Sequence, residues 1–336
     1  MRVLTYLFRR MIFFIPQILG ILLVSFFLIK LIPGDPAVMM LGPSATEEAV
    51  SRLRTDMGLD QPLWVQFGKY LTNLVQGDLG TSWQTTKPVL TDLLERLPAT
   101  LELVLLGLIL ASALGIGLGV ASAMRKTGIV RKISNIYGLF AGAIPDFWLA
   151  LVLIYIFYTM FQIAPAPLGR ISMVLIPPDP VTGSAVIDSL IAGRSDVFLS
   201  ALSQLVLPVL TIGAVMAGPI LKVTYTTMER MLNSDCITYA RICGLPTRTI
   251  RRQAFHLALP AIITIICVLF GLTIGTAMLI EIIFGWGGAG QYAVAAVLSS
   301  DINPVLGFVI FSALLSLVLY LVADLLHFFL DPRIRG

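Results

Sequence analysis

The sequence predicts an all-α membrane protein with six transmembrane helices and both termini in the cytoplasm. Three observations predict it. First, 57% of the 336 residues are hydrophobic and only 12% are charged, with a mean hydropathy of +0.91. Soluble domains carry about a quarter charged residues, and disordered chains are poor in apolar ones. Second, six apolar stretches approach or exceed the roughly 20 residues that a helix needs to cross a bilayer. They cover about 11–32, 99–124, 133–161, 201–221, 259–284 and 304–330. Third, lysine and arginine are unevenly divided between the connecting segments. One set holds 15 of them and the opposite set 7, which places the richer set in the cytoplasm.

Each element follows in order. The first span is preceded by Arg9 and Arg10 like a signal peptide, but it is too long for a 7–15-residue signal core and reads as a retained helix. The whole chain, 1–336, is one transmembrane domain with outer loops at 33–98, 162–200 and 285–303. A tight turn at 125–132 and a larger loop at 222–258 lie inside. In the first outer loop, Ser44 with Glu47 fits a capping box that opens a helix to about Thr55. Asp60 and Pro62 start a second helix, which Gly77 stops. Leu63, Phe67, Tyr70, Leu71 and Leu74 share one face of it, either lying on the membrane surface or the bundle top, or serving as a docking or gating surface for an external partner. The loop 162–200 is rich in proline, with one short helix over Ala185–Ile191 ended by Gly193. Gly115/Gly119, Gly138/Gly142 and Gly271/Gly275 have the spacing of close helix packing. Pro145, Pro208 and Pro219 are expected to interrupt their spans.

The loop 222–258 carries the most information. Ser234 is expected to cap a helix starting at Asp235, whose charge suits the positive end of the helix dipole. Cys236, Tyr239, Ala240 and Cys243 fall on one apolar face, with Asp235, Thr238 and Arg241 opposite. Gly244 supplies the left-handed stop. A second short helix runs from about Thr247 to Leu257, and Pro260 marks the return into the membrane. An amphipathic helix held between two spans can press into a groove on a soluble partner or lie on lipid headgroups.

Charges inside spans need a reason, because each costs about 2.5–3.5 kcal/mol at the bilayer centre. Asp146, just after Pro145, can face a water-filled path or pair with a partner subunit. Glu281 reads as a solvated interface residue, with gating or subunit contact as the alternative. Glu102 reads as a first-turn residue of its helix, and Asp324 as the partner of His327.

Other chemistries are excluded. A net charge of +4 spread over apolar runs makes no nucleic-acid stripe. Two histidines rule out a close-pair metal motif, and the three cysteines lack a disulfide spacing. There is no phosphate-binding G-x-x-x-x-G-K-[ST], so energy comes from a partner or a gradient. Gly285-x-Gly287-x-x-Gly290 fits the dinucleotide fingerprint by letters alone, without a strand before it or an acidic residue about 20 positions on. No internal repeat speaks for a secondary transporter, and no G-x-S-x-G elbow for an intramembrane hydrolase.

Tyr239-Ala240-Arg241-x-x-Gly244-Leu245, followed by Pro260, resembles the coupling loop of ABC importer permeases. Thr238 stands where the general motif has Glu, and His256-Leu257 where its peptide branch commonly has Arg-Asn. Ile32-Pro33-Gly34-Asp35-Pro36, Met57 to Pro62, Gly77 to Ser82, Leu97 to Glu102, Ile144 to Trp148, Glu281 to Trp286 and Leu330 to Arg335 are similar to that peptide branch, in order. The resemblance is to the first of two inner-membrane permease subunits of dipeptide/oligopeptide importers, relatives of which handle nickel chelates and glutathione. It implies a type I ABC importer permease fold in a prokaryotic cell membrane, and a non-enzymatic role. The implied partners are a second homologous permease, two ATPase subunits that hold ATP and Mg, an external substrate-binding protein, peptide and lipid. No catalytic residue, metal or cofactor is expected in this chain. Asp235, Cys236, Tyr239, Ala240, Arg241, Gly244, Leu245 and Pro260 would couple to the ATPases, and Asp146, Pro145 and Glu281 would line or gate the path.

Overall fold

The computed structural model describes the backbone of residues 2–30, 35–42, 44–125 and 127–330, and within these the side chains of 12–28, 30 and 35–326. The Ile32–Pro36 and Leu330–Arg335 motifs and the Asp324–His327 pair fall wholly or partly outside these residues. Thirteen α-helices are found among them. They are α1 (Arg2–Lys30), α2 (Pro36–Leu41), α3 (Glu47–Asp56), α4 (Leu63–Val75), α5 (Val89–Ala123), α6 (Ile129–Ala141), α7 (Asp146–Leu153), α8 (Ala185–Ile191), α9 (Ser195–Leu232), α10 (Asp235–Ile242), α11 (Thr247–Ile283), α12 (Ala289–Leu298) and α13 (Ile302–Leu330). A π-helical run, Ile154–Met160, continues α7.

Four of these are long and apolar enough to cross a bilayer: α5, α9, α11 and α13. A bent pair, α6 with α7 and its π-helical run, folded by 109° at a short break, is apolar enough when taken together to form a fifth, broken span or a re-entrant loop. The first predicted span is described as apolar over Ile12–Leu28. Proline acts unequally. Pro145 stands at the sharp bend as predicted, whereas Pro208 and Pro219 lie inside an unbroken α9. Neighbouring helices can re-satisfy the backbone that an interior proline frees. Pro260 likewise sits within α11, so the separate helix 247–257 predicted from sequence does not exist.

The chain forms two compact units. One comprises Met1–Pro98 and Gly287–Leu315. Here α4 packs on α1: Phe26 is 5% exposed and lies 5.3 Å from Phe67 and 5.8 Å from Tyr70, while Phe27 meets Trp64 at 5.0 Å. Aromatic pairs at such spacings add about 0.5–1.5 kcal/mol beyond area burial. The predicted inward face thus holds for Phe67 and Tyr70, but Leu63 is exposed. The predicted caps shift. Thr46, not Ser44, accepts from the Ala49 amide, and Asp60 accepts from Thr55 Oγ1 instead of capping α4. Gly77 stops α4 with φ +80° as predicted. The loop after it is pinned by the Ser82 hydroxyl donating to Asp301 at 2.6 Å and by Asn303 donating to the Thr81 carbonyl at 2.9 Å. Asp92, almost fully buried, accepts from Tyr292 and Thr85, and Arg96 stacks 4.9 Å from the Tyr292 ring.

The second unit comprises Ala99–Trp286 and Ser316–Gly336. Its α5 and α9 touch backbone to side chain. A Cβ on Gly107, Gly115 or Gly119 would stand 2.5–2.7 Å from Ile212, Ile220 or Thr224 respectively. Each pair is separated by the same 105 positions, so the two helices run parallel along rows of four, the commonest ridge-in-groove packing. Gly213 against Leu110 and Gly218 against Ala141 extend this contact to both sides of α9. Tyr137 of α6 donates to the Ala214 carbonyl at 2.6 Å. Of the predicted glycine pairs, Gly115/Gly119 is a true close approach. Gly271 stands near Ser316, and Gly275 faces nothing within 4 Å.

Candidate functional site

The helix α10 lies between the ends of α9 and α11. Only Asn233 and Ser234 separate it from α9, and four residues separate it from α11. Ser234 has the extended backbone of a cap, but its hydroxyl donates to the Met231 carbonyl at 2.7 Å and caps nothing in α10. Ile237 is fully buried and Ala240 nearly so. Ile237 packs into an apolar cluster with Met228 and Leu232 of α9 and Ile250, Ala254, Ala258 and Ile262 of α11. Burying a side chain the size of isoleucine contributes about 1.5–3 kcal/mol, so α10 is fastened to both long helices.

The opposite face is bare. Tyr239 is 70% and Ile242 79% exposed, with Cys236 and Cys243 beside them. This corrects the sequence reading on one point. Ala240 belongs to the anchoring face with Ile237, and Ile242 takes its place on the exposed one. The i, i+3 pair of Ile237 and Ala240 carried that signal, but spacing alone does not tell which of two apolar stripes faces inward. Asp235 and Arg241 are exposed at the two ends of α10.

The turn after α10 is a Schellman motif. Gly244, at φ +76°, donates to the Arg241 carbonyl at 3.0 Å, and Leu245 donates to the Ala240 carbonyl at 3.1 Å. Pro246 then opens α11, where Arg248, Arg251 and Arg252 form an exposed basic face.

Pro145 and Asp146 sit at the 109° bend, with Asp146 accepting from the Phe147 amide at 2.9 Å at the start of α7. Asp146 is half-buried, while Pro145, Phe147 and Trp148 around it are exposed.

Glu281 is elsewhere and is not a solvated interface residue. It is 0% exposed, and Thr100 Oγ1 donates to its Oε1 at 2.6 Å. The helix α11 ends just beyond it in a second Schellman turn, with Trp286 donating to the Glu281 carbonyl at 2.8 Å and Gly285 at φ +60°. The Trp286 indole donates to the Ala99 carbonyl at 3.0 Å. Gly285 to Gly290 is therefore a helix stop followed by the start of α12, with no strand before it.

The loop 162–200 reaches this same point. Gly169 donates to the Phe284 carbonyl at 3.0 Å, and Arg170 donates to the Gly183 carbonyl at 2.7 Å. Burial lowers the Arg170 pKa, opposed by the fields of Glu102, Asp188 and Glu281. Glu102 is mid-helix in α5, not in its first turn, and accepts from the Ser184 hydroxyl at 2.6 Å. Sequence reasoning missed Arg170, Thr100 and Trp286, because their partners are far away in the chain.

Asp188 fixes the loop locally. Burial raises its pKa, but donors on Thr182, Gly183 and Val181 outweigh this, so the carboxyl is held below its ordinary value. Asp188→Ala is expected to speed amide exchange at Thr182 and Gly183 by roughly tenfold or more, one unpaired bond being worth about 1–1.5 kcal/mol. The native turn gains stability from an ionised group with a depressed pKa. That gain is complete above the ordinary aspartate pKa of about 3.9 and is lost as the pH falls through the lower folded value. Exchange that accelerates in the native chain on going from pH 7 to 5.5 would contradict this account.

Comparison with known proteins fits this arrangement. A family model of binding-protein-dependent transport system inner membrane components matches residues 115–336. A model of the N-terminal part of such membrane components matches 3–104. A probable D,D-dipeptide transport system permease of Escherichia coli is 39% identical over 94% of both chains. A dipeptide transport system permease of Alkalihalophilus pseudofirmus is 34% identical over 99% of both, and a di/tripeptide transport system permease of Pseudomonas aeruginosa is 34% identical over 99% of both. With both models matching and relatives aligned nearly end to end, the chain belongs to the inner-membrane components of binding-protein-dependent transport systems, as a multi-pass membrane permease.

Proposed function

We propose that this chain is the translocation subunit of an ATP-driven importer of dipeptides or oligopeptides, with α10 as the element that receives the push. The observation that carries this is the two-faced α10: Ile237 locks it to α9 and α11 with Ala240 buried beside it, while Tyr239 and Ile242 stand bare. A second homologous permease completes the pore, two ATPase subunits bearing ATP and Mg dock on the bare face, and an external binding protein delivers peptide. The three relatives named above are permeases of dipeptide or di/tripeptide transport systems, which supports peptide over nickel chelate or glutathione. Asp235, Cys236, Arg241 and Leu245 flank the docking face, and the bend at Pro145 and Asp146 lines the path.

The mechanism follows from the stiffness of the parts. Closure of the ATPases displaces α10. Its short links and shared apolar cluster leave no slack, so the displacement enters α9 and α11, helices of 38 and 37 residues. These rock as levers and exchange inward-facing for outward-facing access.

Gly244→Val tests the lever. The glycine has no neighbour within 4 Å of an added Cβ, so the change is conformational and not steric. A left-handed φ costs an L-residue about 1–2 kcal/mol, and a β-branched one at least that. In the reconstituted complex, ATP hydrolysis is expected to persist while uptake per ATP falls roughly tenfold. Uptake per ATP equal to the native value would remove α10 as the coupling element. Ion-driven uptake by this chain alone in liposomes would overturn the function itself.

A further inference from the structure

The helix α4 carries two apolar stripes, and the fold buries only one. Phe67 and Tyr70 turn to α1, where their rings lie 5.3 and 5.8 Å from that of Phe26. Trp64, Leu71 and Val75, at i, i+7 and i+11, form the second stripe beside the first. It is left open: Trp64 is 68% and Val75 88% exposed, with Leu71 half-buried between them. Gln66, Lys69 and Asn73 stand on the opposite side of the helix. A helix divided in this way lies along a membrane surface or against a protein partner.

Its level on α1 decides between the two. The helix α1 is apolar over Ile12–Leu28 and ends at Lys30, an end that the lysine and arginine asymmetry puts outside. Lys30 Nζ stands 5.6 Å over the Phe26 ring and marks the level at which charge meets the headgroups. At a rise of about 1.5 Å per residue, Phe27 lies only about 4–5 Å along the axis from Lys30. Phe27 is the ring that Trp64 meets, at 5.0 Å. The apolar faces of surface helices sit about 5–10 Å into the boundary between headgroups and acyl chains, so Trp64 stands within that band. Tryptophan is also the residue that membrane interfaces favour. Val24 and Leu28, flanking Phe27, are exposed, so the bare apolar surface of α1 runs on through Phe27 to Trp64. A soluble protein could cover a stripe at this level only by entering the bilayer.

We infer that α4 is an interfacial helix whose Trp64, Leu71 and Val75 are set among the headgroups and upper acyl chains of the outer leaflet, with phospholipid as the partner of this face. This placement is independent of the cargo and of the coupling helix.

The test uses the full chain in nanodiscs of phosphatidylcholine. Subtracting the emission of Trp64→Phe from that of the native chain isolates Trp64. That emission is expected to fall roughly twofold or more in lipid brominated just below the headgroup, to fall less with bromine near the chain end, and to resist iodide in the water. Val75→Trp and Lys69→Trp probe the two sides of α4 and keep the test independent of how Trp64→Phe folds. The emission added at 75 should be quenched by the shallow bromine, and that added at 69 by iodide. Quenching of Trp64 or of position 75 by iodide and not by brominated lipid would overturn the inference, as would equal iodide quenching at 69 and 75. Stronger quenching by deep than by shallow bromine would overturn the interfacial level. Iodide quenching of Trp64 in the chain alone that disappears in the assembled transporter would give the face to a protein partner and overturn the choice of lipid.

Discussion

Gly115→Val is expected to deplete the folded protein from the membrane, and Gly275→Val to leave the chain's own fold intact. Both glycines belong to pairs four residues apart, yet their surroundings differ. A Cβ at 115 would lie 2.7 Å from Ile220 Cβ and 2.8 Å from the Ala217 carbonyl oxygen. Neither atom can swing away, since one is a branch point next to the backbone and the other is backbone. Relief requires α5 and α9 to part, which would also open Gly107 on Ile212 and Gly119 on Thr224. Overpacking costs about 1–3 kcal/mol in soluble cores. In lipid, close packing is itself the main attraction between helices, so parting them forfeits more of what holds the pair. At about 2–4 °C per kcal/mol, the purified variant is expected to melt several degrees lower or to be lost. Gly275 has nothing within 4 Å. A melting temperature for Gly115→Val equal to that of the native chain would show that α5 and α9 are not in contact as described.

The contrast between these glycines shows what was legible in the sequence. The apolar runs were readable because lipid imposes a length and a composition on any spanning helix. The spacing of small residues was readable too, but which pair meets a neighbour depends on a helix about a hundred positions away. Helix stops were read well: Gly77, Gly193 and Gly244 all take the left-handed φ that makes glycine a stop. Helix starts were read poorly. Ser44 and Ser234 are each followed by acidic residues, yet Thr46 does the capping in one case and Ser234 turns its hydroxyl back to Met231 in the other. Several hydroxyls compete for a few amides there, and small differences in backbone angle decide. Pro260 failed as a boundary because tertiary packing on both sides outweighs the single hydrogen bond a proline removes. In the coupling helix the position and the end were legible, while the inward face was not.

Glu281 was misread for the deepest reason, since its environment is assembled from three segments distant in sequence. Arg170→Met is expected to damage the protein more than Glu281→Ala, and both more than Glu281→Gln. The guanidinium of Arg170 is the shared cation for Glu102, Asp188 and Glu281. Removing it leaves three carboxylates without it. Asp188 keeps its donors on Thr182 and Gly183, and Glu281 keeps Thr100. Glu102 fares worst: Oε1 has Ser184, but Oε2 is buried with no hydrogen-bond partner. A buried polar atom left unmet costs about 1–3 kcal/mol, and more where it is charged. Glu281→Ala leaves Arg170 two carboxylates and opens a cavity beside Thr100, so a loss nearer the lower end is expected. Glu281→Gln keeps an oxygen for the Thr100 hydroxyl and should lose least. Thermal melting of the three single variants and of the Arg170→Met/Glu281→Ala pair checks the ranking. Groups that share one cluster are non-additive by about 0.5–3 kcal/mol, so the double variant should be more stable than the two single losses added together. Strict additivity would mean that Arg170 and Glu281 do not feel each other, and the loop 162–200 would then be held to α11 by the Gly169–Phe284 backbone bond without help from charge.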